Sequence, residues 1–430
     1  MQAVMQAVMK AATEVCRPPH QRTLLAAALL LAIGASAGCS TQTVKSTTVT
    51  AIVTEAASVA EEELLDVSIG IFEPGLDEIP NNREELTFAD VRMAETQFMS
   101  YQLAQTLQGS GAWGVVRVNP NDLTSADVAV TGTILQSDGE TMLVQVNVKD
   151  ATGKVWLNKE YEEVVSKYSY DPRQRSSDDP FQGLFNRIAN DMLEYRQQNL
   201  DRQQLVNIRT VSRIQFAKSF APQAFDQYLT TNRNGLLELT RMPAENDPML
   251  NRIDNIRERD YLYIDALQDY YGNYVRQMQG PYTSFRRESY AEVMKYDKLR
   301  AQATRNMVLG VAAIVGGLAA TQSNNAAVQY SAYGGLFGGG FLIKDAFNKR
   351  DEAQLQVETL AELGNSLESE IAPQTIELDE RVVTLTGSVQ EQYTQWREIL
   401  ADIYAAEVQG SVPASDLNTT PAPAAIPDRQ

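Results

Sequence analysis

Ala126-Asp127-Val128-Ala129-Val130-Thr131-Gly132-Thr133-Ile134 is the stretch from which the fold is read. Val128, Val130 and Ile134 fall on one side of an extended chain, the period-two pattern of a strand with one buried face. Residues 113–118 before it, and 142–149 and 155–165 after it, carry the same alternation. Asp138-Gly139 and Thr152-Gly153 divide the last three stretches, and both pairs are hairpin-turn signals. A strand meander is expected here.

Upstream, Val67, Ile69 and Ile71 alternate in a further strand, followed by a loop with Pro74, Gly75 and Pro80. Thr87 can cap a helix, with Asp90 three residues on. Phe88, Val91, Ala94, Phe98, Tyr101, Ala104 and Leu107 then recur at three- and four-residue steps, which is one helical face, and Gly109 and Gly111 end it. Residues 64–167 thus read as an α/β sandwich module built from a strand, a helix and a strand meander.

Three short motifs give this order a resemblance. Residues 126–134 look like an A-D-x-x-x-x-G-x-I strand, Asp150-Ala151-Thr152-Gly153-Lys154-Val155-Trp156 like a D-x-x-T-G-x-x-W hairpin one residue short, and Ser110-Gly111-Ala112-Trp113 like S-G-x-F/W. The module resembles the fold shared by the curli-secretion lipoprotein, the N-terminal domain of the TolB translocation protein, flagellar outer-membrane lipoproteins and the lipoprotein activators of penicillin-binding proteins. The likeness covers about 100 of 430 residues. Its motifs are turn and packing features, so it speaks to fold more than to role. It implies binding to envelope proteins and no catalytic residues.

Downstream, residues 168–180 read as a polar linker. Residues 181–408 read as a mainly α-helical domain, with helices expected at 249–278 and 282–320 and a small β-hairpin at 375–386. The whole is α+β. Tyrosines crowd the first of these long helices, among them Tyr261, Tyr263, Tyr270, Tyr271 and Tyr274, as a half-buried helix interface with hydroxyls at its rim would require. Residues 409–430, rich in Pro, Ala, Ser and Thr, read as a disordered tail.

Residues 307–343 are expected to form a long glycine-rich helical hairpin. Residues 307–320 are wholly apolar or small, residues 321–325 are polar, and residues 326–343 form a second apolar run. Ala312, Gly316 and Ala320 are four apart in the first run, as are Ser331, Gly335 and Gly339 in the second. Four-residue spacing puts small residues on one helix face, where backbones can approach closely. At 1.5 Å per residue the runs span roughly 21 and 27 Å, against a hydrocarbon core of about 30 Å. Two readings stay open: a hairpin inserted in or assembled at a membrane, or a soluble hairpin buried in an oligomer.

The first 38 residues read as an export leader. Lys10, Arg17 and Arg22 precede the apolar stretch 24–33, too short for a membrane span, and Ser36-Ala37-Gly38-Cys39 follows. This resembles a bacterial lipobox, which implies diacylation of Cys39 and, with Ser40 next, sorting to the outer membrane. The alternative is an ordinary secretory signal cut near Ala37. Residues 39–63 read as a Ser/Thr-rich tether.

Loss of the leader removes two net positive charges from −18 and leaves −20, and takes away Cys16 and His20. The exported chain then has no histidine and one cysteine. That inventory excludes a His base, a Cys/His metal site and an intrachain disulfide. The acidic balance, with a pI near 4.6, argues against a nucleic-acid partner. No phosphate loop, dinucleotide fingerprint or nucleophile elbow is present. Asp265 and Asp269, four apart, read as a solvated charged face. The expectation is a non-enzymatic, cofactor-free, lipid-anchored envelope protein with an assembly, secretion or regulatory role, possessing an envelope partner and a capacity to self-associate. The alternative is a self-assembling outer-membrane channel using the hairpin.

Overall fold

The computed structural model describes residues 49–55, 59–79, 87–120, 126–171, 179–244, 247–320, 374–378 and 381–408. The expectations for the leader 1–38, for Cys39, for Ser331, Gly335 and Gly339, and for the tail 409–430 lie outside these residues. So does the second half of the 307–343 hairpin.

The architecture is broadly α+β: a mixed sheet with helices, then a mainly helical region. The sheet has the order β2-β1-β3-β4-β5. Its strands are β1 (Val67–Gly70), β2 (Val116–Asn119), β3 (Val128–Ser137), β4 (Thr141–Asp150) and β5 (Val155–Val164). β1 lies between β2 and β3 and is parallel to both, with Val67 opposite Val116 on one side and Val128 on the other. A parallel pair needs a crossover, and helix α1 (Ala89–Gly109) supplies it between β1 and β2. Ser100 ties this helix to the end of β1: its Oγ donates to the Gly70 carbonyl (2.9 Å) and accepts from the Phe72 amide (3.0 Å). β3, β4 and β5 form the antiparallel meander. Along β4, Met142, Val144, Val146 and Val148 are fully buried while the alternate residues face outward, the pattern of a sheet covered on one side.

The motif residues work as turn chemistry. Asp150 Oδ1 accepts from the Thr152 amide (2.9 Å) and hydroxyl (2.5 Å), its Oδ2 accepts from Trp156 Nε1 (2.9 Å), and Gly153 takes a left-handed φ of 87°. Trp156 then stacks on Tyr195, with ring centroids 5.1 Å apart.

Helix α2 (Gln182–Asn199) packs on β5 and α1. Helix α3 (Arg202–Phe220) starts at a capping box, with the Asp201 carboxylate accepting from the Gln204 amide and the Gln204 side chain accepting from the Asp201 amide. A short helix α4 (Pro222–Phe225) leads into a hairpin of β6 (Leu229–Thr231) and β7 (Leu237–Leu239) that the sequence pattern did not reveal. Helix α5 runs from Pro248 to Ala320. β8 (Gln374–Leu378) and β9 (Arg381–Leu385) pair as a second hairpin, and α6 (Val389–Val408) packs on α5.

Three sequence expectations need correction. Two helices are expected on either side of Gly280-Pro281, but α5 is continuous through Pro281. Proline deletes one backbone hydrogen bond and disfavours a helix interior by about 3 kcal/mol. Here Met278, Tyr282 and Arg286 on both sides of it are buried in one core, which holds the axis. The tether 39–63 is not free where it is described. Thr50 and Ala51 offer carbonyls to Asn186 (2.7 Å) and Asn190 (3.0 Å), and Glu55 pairs with Arg196 (2.9 Å), so residues 50–55 lie against α2. Lastly, the apolar core does not stop at residues 168–180: one buried cluster extends from Leu65 to Tyr404.

Candidate functional site

Two features stand out: a charged cleft at one end of the sheet, and the seat that fixes α5 to the sheet. The cleft, about 450 Å³, lies where β1 and β3 begin and is lined by Asp66, Asp127, Val206, Arg209, Thr210, Arg213, Asp254, Arg257, Glu258 and Tyr261. Asp66 and Asp127 come from the residues just ahead of the two strands, and the arginines come from α3 and α5.

Charged groups of the cleft are held by ion pairing and by hydrogen bonds to backbone amides and hydroxyls. Arg213 forks onto Asp254 (Nε to Oδ1 2.7 Å). Asp127 Oδ2 accepts from the Asp66 amide (3.0 Å), and Asp66 Oδ1 accepts from the Val115 amide (2.8 Å). Arg257 donates to Tyr261 (2.8 Å) and Ser212 (2.8 Å). Burial raises the Asp127 pKa, against the pull of Arg257. Burial opposes the Arg257 charge, but Tyr261, Asp127 and Asp66 outweigh it and hold that pKa above the ordinary value. The lining has no histidine or cysteine, and Thr210 donates its hydroxyl to the Val206 carbonyl (2.8 Å). Asp127 thus ties the start of β1 to the start of β3, and Asp66 ties it to the residue ahead of β2.

The seat of α5 is more extensive. Gln268 closes the edge of β2: its Nε2 donates to the Val118 carbonyl and its Oε1 accepts from the Val118 amide, both at 2.9 Å. One side-chain amide thus stands in for the next strand. Beside it, Arg117 of β2 forks onto Asp265 (2.6 and 3.0 Å), with its guanidinium 4.3 Å over the Tyr261 ring. Further along, Tyr274 donates to the Ala94 carbonyl (2.8 Å). Tyr282 donates to Glu95 (2.6 Å), which also accepts from Ser137 (2.6 Å) and pairs with Arg92 (3.3 Å). Burial raises the Glu95 pKa, opposed by Arg92, Ser137, Tyr282 and Arg286. Arg286, 1% exposed, pairs with Asp179 (Nη1 to Oδ1 3.1 Å) and stacks 4.0 Å over the Tyr282 ring.

At the β3–β4 turn, Gly139 touches the helix backbone directly. A Cβ there would lie 2.1 Å from the Arg286 carbonyl oxygen and 2.2 Å from the Tyr290 nitrogen. Only glycine allows that approach.

The sequence-predicted residues divide as follows. Asp265 is in the seat, bound to Arg117. Asp265 and Asp269 are exposed, as read, whereas Asp260, their neighbour on α5, is fully buried and meets Tyr393 and Arg397 of α6 (both 3.3 Å). The tyrosines are interface residues as read, but Tyr274 and Tyr282 direct their hydroxyls to inner partners instead of the rim. Ala312, Gly316 and Ala320 lie in the last turns of α5, at four-residue steps. No described helix is long and apolar enough to cross a membrane, and no described group of acidic residues, His or Cys is arranged to hold a metal. Sequence reasoning missed Gln268, Glu95 and Arg286. A charged or amide residue inside an otherwise apolar helical stripe was the available signal. No family model, curated protein or solved structure matches the chain.

Proposed function

We propose that this chain is a non-enzymatic scaffold of the bacterial cell envelope, exported, acylated on Cys39 and held at the outer membrane facing the periplasm. The module 64–167 meets an envelope partner, and the glycine-rich segment 307–343 mediates membrane contact or self-association through Ala312, Gly316, Ala320, Ser331, Gly335 and Gly339. The observation that carries the reading is the seat of α5. Gln268 and Asp265 lock the helix to β2, Tyr274 and Tyr282 lock it to α1, and Arg286 locks it to Asp179 ahead of α2, over about 30 Å in all. The same helix then continues into the small-residue run. A rigid arm on an adhesive module suits assembly; a mobile arm would not transmit position.

The test is membrane fractionation of the wild type and of Cys39→Ser, with mass spectrometry of the mature amino terminus and cross-linking in cells. A diacylated cysteine in the outer-membrane fraction, lost in the serine variant, is the expected result. An unmodified amino terminus overturns it. The four-residue spacing of small residues favours one other reading, a channel built from several hairpins. Conductance in planar bilayers together with stable high-order oligomers decides for the channel; their absence decides for the scaffold.

A further inference from the structure

We infer that the folded body presents one defined end to the bilayer: the end carrying Thr50, the turn at Gly139 and the exposed Tyr168. This rests on the lipid-anchored reading above and deepens it, since that reading leaves the orientation open.

Two independent parts of the chain converge on that end. The first is the chain entry. Thr50, Ala51 and Glu55 meet Asn186, Asn190 and Arg196 in turn, so this segment runs alongside α2 from its first turns toward its last. Thr50 therefore lies at the start of α2. That start is fixed at the closing end of β5, where Arg187 pairs with Glu163, and beside α5, where Asp179 pairs with Arg286. The second is the helix exit. The partners of α5 succeed one another as Arg117, Val118, Ala94, Glu95 and Asp179, then the Gly139 backbone, and Tyr290 packs on Tyr170 (5.9 Å between centroids). The helix thus rises from the cleft end to the β3–β4 turn and leaves the body there. Tyr168, 46% exposed, sits on the turn between β5 and α2 at the same end.

The lengths agree. Cys39 precedes Val49 by ten residues, which reach at most about 35 Å when fully extended. From Tyr290 to Met307, where the apolar run begins, α5 advances about 25 Å. An acyl group and an apolar helix segment can therefore reach one surface from this end. With the cleft end toward the bilayer, the leading chain would have to run back past the body, along which α5 from Asp265 to Tyr290 alone measures about 38 Å. The apolar run would then point away from the lipid. The geometry favours one orientation.

The experiment uses full-length acylated protein bound to vesicles of phosphatidylethanolamine and phosphatidylglycerol carrying an energy-transfer acceptor on the headgroups. With Cys39 acylated, a thiol-linked donor attaches at one place: Tyr168→Cys or, as a second reporter at that end, Lys167→Cys, and Val115→Cys at the cleft end. All three positions are exposed, so labelling leaves the core intact. Transfer several-fold higher from 168 and 167 than from 115 is expected. Equal transfer, or higher transfer from 115, in vesicle-bound protein overturns the orientation while leaving the anchor reading in place. Failure of the acylated chain to sediment with vesicles overturns the anchor reading, and the orientation with it.

Discussion

Glu95 joins three elements through one carboxylate: Arg92 on its own helix, Ser137 on β3 and Tyr282 on α5. Arg286, also on α5, adds a favourable charge from the far side. Burial lifts the Glu95 pKa above its unfolded value, so the folded state holds this proton more tightly than the unfolded one. Its contribution to stability is complete below the ordinary glutamate range and is lost as pH rises through the lifted value. Denaturant midpoints for wild type and Glu95→Gln should therefore shift against each other, with the wild-type advantage larger at pH 5 than at pH 8; a constant difference would contradict this. Arg286→Ala leaves Asp179 buried without its partner and empties the space over Tyr282. A loss of about 3–5 kcal/mol in urea unfolding is expected, the scale for breaking a buried pair.

At the scale of elements, α5 and the sheet are fitted backbone to backbone at Gly139 and amide to amide at Gln268. Gly139→Ala would drive a methyl carbon into the helix and should lower the melting temperature sharply. Gly109→Ala, at the end of α1 with open space around it, is the matched control and should be neutral or slightly stabilising. Gln268→Ala uncovers the β2 edge and deletes the two hydrogen bonds to Val118, each worth about 0.5–1.5 kcal/mol net. A stability loss of about 1–3 kcal/mol with a rise in light scattering on storage is the expected pair of readouts.

The sheet was legible because Val128, Val130, Ile134 and the β4 valines announce a buried face every second residue, and because Asp150-Ala151-Thr152-Gly153 spells its own turn. The continuity of α5 was not. Gly280-Pro281 is a local stop signal, and only the burial of Met278, Tyr282 and Arg286 against α1 and the β3–β4 turn overrides it. Gln268 and Glu95 were hidden for a related reason: an amide or carboxylate on a helix reads as solvated until its partner, 150 or 187 residues away, is known.

For the whole molecule, the segment 50–55 is a structural strap as well as a connection to the amino terminus. Arg196 is largely buried, and Glu55 is its carboxylate partner. Glu55→Ala should cost about 3 kcal/mol or more and release the strap. Limited proteolysis would then cut ahead of residue 60 at protease levels that leave the wild type intact. Any pull arriving through the amino-terminal chain is delivered first to α2 and so to the single core that α2 shares with α5.

The side-chain cap that Gln268 places on β2 has a further meaning for growth by strand addition. The sheet has two borders, and this amide has already filled one of them. On the other, β5 pairs with β4 alone among the described strands. Among the described strands β5 is the border left for pairing of copies along this sheet, and two copies joined there antiparallel close on a two-fold axis.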